Sequence, residues 1–194
     1  MSRIASTVPP DGAEIPTRHR LSPATGTKIP SHFAHCFGCG DLHPTGLHLV
    51  AHVGEGVDIT AEFTVTENHQ GAPGLAHGGL LSLAFDESLG KLMWLLRAPA
   101  VTARLETDFI KPVPIGQTLY ISARITGQMN RKVYTEAVGR LGGQDGEIAV
   151  RASALFVIVP MQHFIDNMPK EYHEYIKANP EVLAFVDPEF EINP

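Results

Sequence analysis

Residues 77–96 read HGGLLSLAFDESLGKLMWLL. From Leu80 to Leu96 there is no proline, and Leu, Ala, Phe, Met and Trp fill nearly every direction of a 3.6-residue period. A helix that is apolar all round is buried on most of its sides rather than laid on a surface. The stretch therefore predicts a central helix, and the remaining chain must supply what encloses it.

Upstream, Leu47, Leu49, Ala51 and Val53 alternate with more polar neighbours, and Val57, Ile59, Ala61, Phe63 and Val65 do so again after the Gly-Glu-Gly at 54–56. Alternation of period two with a turn between predicts a hairpin. Downstream, strand-like runs near 100–111, 117–127, 131–141 and 146–159 are separated by turn signals at PVPIG, GQMN and GGQDG. Two strands, one buried helix and four strands without intervening helices exclude a parallel doubly wound sheet. They predict an α+β domain, an antiparallel sheet wrapped around a long central helix. Residues 1–30, rich in Pro, Ser, Thr and Gly, predict an irregular arm. Residues 31–160 form the domain, and 161–194 a helical or irregular extension in which a short surface helix is broken at Pro169. Tyr172 and Tyr175, three residues apart, share a face of it.

A chain of 194 residues holds one such domain with its appended segments. The formal net charge of −6 argues against a nucleic-acid partner, whose phosphates would repel it. No apolar run reaches the roughly 18 residues of a membrane span, and the N-terminus has no signal-peptide core, so a cytoplasmic protein without membrane contact is expected. The two cysteines, Cys36 and Cys39, do not make a secreted disulfide framework.

Chemistry is concentrated on the central helix. His77-Gly78-Gly79 lies where the helix starts, and the first N–H groups of a helix have no internal partner. Two glycines leave those amides uncovered at the positive end of the helix dipole, as an oxyanion hole requires, although glycines there also serve close packing. Asp86 sits mid-helix among Leu83, Ala84, Phe85 and Leu89, where a carboxylate is costly to bury without a partner. Glu87 has Lys91 at i+4, the favoured order for an exposed ion pair, so it has a structural explanation that Asp86 lacks. Asp86 is thus the candidate base or nucleophile. Gly78 and Asp86 are eight residues apart, about 12 Å along one helix, too far to serve one carbonyl together. Two antiparallel copies of the helix about a two-fold axis would bring Gly78 of one beside Asp86 of the other, which predicts a site straddling a homodimer interface.

The stretch NHQGAPGLAHGGLLSLAFDESLG resembles the signature of hotdog-fold acyl-CoA thioesterases of the phenylacetate-degradation (PaaI-like) type. HCFGCGDLHPTGLHL and TARLETDFIKPVPIGQTL are similar to segments of one bacterial branch, and the resemblance covers roughly residues 32–160. It implies a hotdog fold, an acyl-CoA substrate and no cofactor. It implies that the Gly78 N–H polarises the thioester carbonyl while Asp86 attacks it or activates water. Thr102 matches the hydroxyl residue that orients water or carboxylate. Strict alternation aims Thr102 away from Val101 and Ala103, so a bulge or strand-end twist is needed to direct it. An amide side chain before the glycine pair is also implied; Gln70 is the nearest candidate, with Asn68 close by.

Other residues have competing readings. His77 at the helix start is read as a fixing hydrogen-bond partner, with general base as the alternative. Lys111, Arg131 and Lys132 are candidates to meet the phosphates of coenzyme A, or are solvated basic turns. Gly79, Leu81 and Phe85, with Met93 and Trp94, are expected along the acyl tunnel. Cys36 and Cys39, with His32, His35 and His43 nearby, lack the second Cys-x-x-Cys pair common in structural zinc sites, so no metal is expected and the thiols are read as packed in a turn. Two other functions fit a hotdog domain: a non-catalytic acyl-CoA sensor, and an enoyl-CoA hydratase. The hydratase pattern has a histidine five residues after the aspartate, where this chain has Lys91. Whether dimers pair into tetramers, and which acyl group is bound, are not set by sequence.

Overall fold

The computed structural model describes residues 5–180; residues 1–4 of the arm and 181–194 of the extension lie outside the described residues. In chain order the elements are β1 (Lys28–Ile29), β2 (Val50–Val53), β3 (Asp58–Thr64), β4 (Gln70–Ala72), β5 (Leu75–Ala76), α1 (Gly78–Lys91), α2 (Met93–Leu96), β6 (Ala100–Phe109), β7 (Thr118–Met129), β8 (Lys132–Leu141), β9 (Glu147–Ile158), α3 (Met161–Asn167) and α4 (Lys170–Ala178). Seven strands make one sheet in the order β1-β2-β3-β7-β8-β9-β6, with every pairing antiparallel. Helix α1 packs against this sheet, touching β3, β6, β7, β8 and β9. This is the hotdog architecture.

Alternation decides the inner face of the sheet. Ile59, Ala61 and Phe63 of β3, Leu119, Ile121 and Ile125 of β7, and Val150, Ala154 and Phe156 of β9 are all buried in the core that receives the helix. Gly139 of β8 sets the closest approach: a Cβ there would lie 2.8 Å from Cζ of Phe85. Its absence seats the Phe85 ring, which is fully buried and contributes about 1.5–3 kcal/mol by leaving water.

The helical segment differs from the expected single run. It begins at Gly78, capped by His77, and is interrupted at Leu92 before the short α2, which Arg97 closes in the left-handed conformation at φ 52°. The Gly-rich loop before it folds into the small β4–β5 hairpin. Among the described residues the extension holds two short helices rather than one, because Pro169 ends the first and opens the second. The described part of the arm starts on the sheet face opposite α1, reaches α2 where the His19 N–H donates to Leu95 O at 2.8 Å, and ends in β1 at the sheet edge. On that opposite face buried Thr7 donates to Glu106 at 2.8 Å and accepts from Ser153 at 2.9 Å, and Ser153 alternates with the helix-facing Ala152 and Ala154. Between β1 and β2, residues 30–49 carry no helix or strand. Among the described residues no helix is long and apolar enough to cross a membrane.

Candidate active site

The central helix presents two stripes. Leu81, Phe85, Leu89 and Leu92, spaced by three or four, face the sheet and are buried in the core. Asp86, Glu87, Gly90, Met93 and Trp94 form the other stripe and line a cavity of about 430 Å³. Leu81 and Phe85, expected along the acyl tunnel, therefore belong to the core and not to this cavity, whereas Met93 and Trp94 do line it. At 100° per residue the helix cannot present both sets to one side. The opposite wall is made by Ala100, Thr102 and Phe156 from the sheet and by Met161, Phe164, Met168 and Ile176 from α3 and α4. The extension thus roofs the cavity, and the Phe33 and Tyr175 rings meet edge-on at 5.7 Å, tying α4 to the upstream loop.

Asp86 is half-buried, and its Oδ1 accepts a hydrogen bond from the Thr102 hydroxyl at 2.8 Å. The bulge that alternation required is present. The β6–β9 register passes from Thr102↔Phe156 to Arg104↔Leu155, so Ala103 is the extra residue and Thr102 is turned toward the helix. Among the described residues Asp86 enters no ion pair. A carboxylate held by one hydroxyl beside an apolar cavity keeps lone pairs for a further partner.

At the helix start, His77 Nδ1 accepts from the Gly79 N–H at 2.9 Å, so His77 is the cap. Leu80 and Leu81 donate to the His77 carbonyl. The Gly78 N–H has no acceptor among the described residues and is the bare amide of the turn. The Phe109 ring lies beside it, 3.4 Å from where a Cβ of residue 78 would stand. The Gln70 amide is engaged at both ends within the β4–β5 hairpin: its nitrogen donates to Glu67 O at 3.1 Å and its oxygen accepts from Gly74 N at 2.9 Å. Asn68 is exposed in the 3-10 turn Glu67–His69. Buried His69, which the sequence reading passed over, anchors this region. Its Nε2 meets Gly46 O at 3.2 Å and its carbonyl accepts the His77 N–H at 2.8 Å. Of the basic candidates, Lys111 pairs with Glu147 at 2.7 Å, and Arg131 and Lys132 border a second cavity that shares no residue with the first.

Glu87 is not the exposed partner that its spacing to Lys91 implied. Lys91 is only 2% exposed and the Glu87 side chain 12%, with 3.4 Å between Nζ and Oε1. The helix face they share is covered by the 30–49 segment, whose Pro30 carbonyl accepts from Lys91 at 3.0 Å. His32, Cys36 and Cys39 of that segment gather around Glu87. Burial pushes the Glu87 carboxyl above its ordinary range. Contact between the two sulfurs splits the thiols, Cys36 raised and Cys39 held far below the usual range, with His32 also favouring the Cys39 thiolate. Cys36 and Glu87 are 51 positions apart, so no local motif joins them.

With this geometry in place, comparison with known proteins gives a likeness. Residues 73–147 match the family model described as Thioesterase superfamily, a span that holds Gly78, Asp86 and Thr102. The core has the hotdog fold, and its matched span is similar to that superfamily. The chain is also similar, at 31% identity over 88 residues, to acyl-coenzyme A thioesterase THEM4 of Xenopus laevis, covering 45% of this chain and 39% of that protein. The chain thus spans about two-fifths of the length of the curated relative it matches. Among solved structures it resembles a thioesterase superfamily protein (24% identity, 71% of this chain and 70% of that chain, TM-score 0.56). It also resembles the PaaI protein of the E. coli phenylacetic acid degradation operon (18% identity, 59% and 81%, TM-score 0.54). At these identities the structural likenesses show the hotdog fold alone.

Proposed function

We propose that the domain hydrolyses an acyl-CoA thioester to the free acid and coenzyme A, with Asp86 as the reacting carboxylate. One observation carries the reading: a carboxylate held by Thr102 and, among the described residues, by no cation, at the wall of an apolar cavity. The curated relative named for acyl-coenzyme A thioesterase activity supports the substrate class.

The Gly78 N–H takes the thioester oxygen, where negative charge develops as the carbonyl carbon becomes tetrahedral. Asp86 either adds to that carbon or removes a proton from a water that adds to it. Collapse of the tetrahedral species re-forms the carbonyl, breaks the C–S bond and expels the coenzyme A thiolate, which then takes up a proton. On the direct-addition route this leaves a mixed anhydride with Asp86, which water cleaves to give the free acid and restore the carboxylate. Thr102 orients the carboxylate, and the methionine-rich roof accommodates the acyl group, since unbranched thioethers fill irregular space.

The active unit is a homodimer with each site shared. The spacing of Gly78 and Asp86 along one helix supports this, as does β6, a ten-residue strand at the sheet edge that ends at exposed Phe109 and is followed by exposed Ile110. The test is release of free thiol from acyl-CoA esters of graded length, aryl esters included, by the wild-type chain and by Asp86→Asn. Thermal stabilisation by acyl-CoA without thiol release would favour a sensor, and loss of enoyl absorbance without thiol release a hydratase. Near-native turnover by Asp86→Asn removes the assignment. For the shared site, Asp86→Asn and Gly78→Pro subunits are mixed and reassorted. Random pairing restores one intact site in half of the dimers, about a quarter of wild-type activity, whereas sites confined to one subunit stay inactive.

A further inference from the structure

The cluster around Glu87, at the margin of the same cavity, goes beyond this reading. We propose that His32, Cys36, Cys39 and Glu87 form a structural zinc site that staples the 30–49 segment to the central helix.

The donor atoms support it first. Each residue offers one ligand atom, and all four atoms lie within 4.8 Å of one another. A tetrahedral ion with Zn–S near 2.3 Å and Zn–N or Zn–O near 2.0 Å holds its ligands about 3.3–3.8 Å apart. His32 Nδ1 is 3.3 Å from Cys39 Sγ and 3.7 Å from Glu87 Oε1, and Cys36 Sγ is 3.5 Å from Glu87 Oε2. Two of these contacts reach different oxygens of Glu87, so they place the donors within reach of a common tetrahedral centre that one of those oxygens completes. Two sulfurs, an imidazole nitrogen and a carboxylate are a borderline-soft set that suits zinc over magnesium or calcium, which take oxygen ligands.

Charge agrees. Two thiolates, a carboxylate and a neutral imidazole around Zn²⁺ leave one negative charge, and the buried Lys91 ammonium, 3.4 Å from Glu87, cancels it. Whatever protons the thiols and His32 carry are displaced on binding and leave to solvent.

The backbone agrees as well. Gly38, between the two cysteines, is buried, and a Cβ there would stand 2.5 Å from Glu87 Oε2. Only glycine lets the knuckle close over the carboxylate. The stapled segment is long and lacks helix or strand, the kind of loop that needs a fixed point to stay packed. Four protein ligands fill the tetrahedron, so the site is structural. It holds the helix turn next to Asp86 and borders the same cavity.

The full chain, purified without chelator and reconstituted with zinc, is measured by native mass spectrometry and elemental analysis. One zinc per chain is expected. In Co²⁺-substituted protein, thiolate-to-metal charge transfer and tetrahedral visible bands are expected, a readout that needs no variant. Cys39→Ser should weaken zinc binding by about 100-fold or more. Chelation should lower the thermal midpoint of the wild type and leave that of Cys39→Ser unmoved. No zinc after reconstitution, another metal held in its place, a mass two daltons low from a Cys36–Cys39 disulfide, or cobalt spectra lacking thiolate bands would each overturn the proposal. None of these readouts depends on turnover, so the zinc site and the thioesterase reading fail separately.

Discussion

Asp86 and Glu87 are adjacent carboxylates on one helix with opposite surroundings. Asp86 faces the cavity and has a hydroxyl for company. Glu87, one residue further round, is packed under the 30–49 segment beside a buried lysine, an imidazole and two thiols. A turn of 100° separates a carboxylate with spare lone pairs from one whose oxygens are committed. The difference teaches that reactivity on a buried helix depends less on where an acid lies in the sequence than on which neighbouring segment covers its face.

The comparison breaks most sharply at Asp86. Asp86→Asn should lower thiol release by about 10³–10⁴-fold, the upper range for a positioned base or nucleophile, with the denaturant midpoint nearly unchanged. Glu87→Gln should do the reverse. Leaving Lys91 buried without its anion costs about 3–5 kcal/mol, read as a fall in chemical stability, while turnover by the folded fraction stays within a few-fold. If Glu87→Gln loses turnover as Asp86→Asn does, the two carboxylates work together and the contrast fails.

Gly78 sharpens the catalytic side. Proline is tolerated at the first helical position and removes only the N–H, and His77, extended at ψ 131°, accepts a following proline. Gly78→Pro should therefore cost about 10²–10³-fold in kcat, the worth of one oxyanion donor, while Gly78→Ala retains most activity. Equal losses in both would mean that space and not the amide matters. A smaller effect is expected at Thr102→Val. Losing a hydrogen bond to a charged group costs about 1.5–3 kcal/mol, seen as a drop in kcat with acyl-CoA affinity preserved. Phe164→Ala in the roof should change least, about 1 kcal/mol of acyl contact, as a several-fold rise in KM for long acyl chains and none for acetyl-CoA.

Much of this site was legible before the structure. Alternation in β3 named the inward residues Ile59, Ala61 and Phe63, and an unexplained acid in an apolar helix singled out Asp86. The same alternation showed that Thr102 needed a bulge to reach the helix, because period two is a strict rule and a break in it has few remedies. The i+4 spacing of Glu87 and Lys91 misled, since that rule describes a solvated helix face and this face is covered. Gln70 was read as a donor to substrate, but its amide is occupied in the hairpin that it helps to close. The roof from α3 and α4 left no local trace, as Met161, Phe164, Met168 and Ile176 acquire meaning only against Asp86.

The amino-acid sequence alone determined the long strands, their order, and the helix that carries the glycine-opened start and its acid, because these follow from periods of two and 3.6 residues and from local backbone chemistry. Tertiary structure decided which stripe of that helix meets the sheet, what covers the remainder, and that two thiols and a histidine come to rest on a distant carboxylate, Cys36 lying 51 positions from it. Such choices belong to the whole packing, since burial of one face is settled by every segment that competes to cover it.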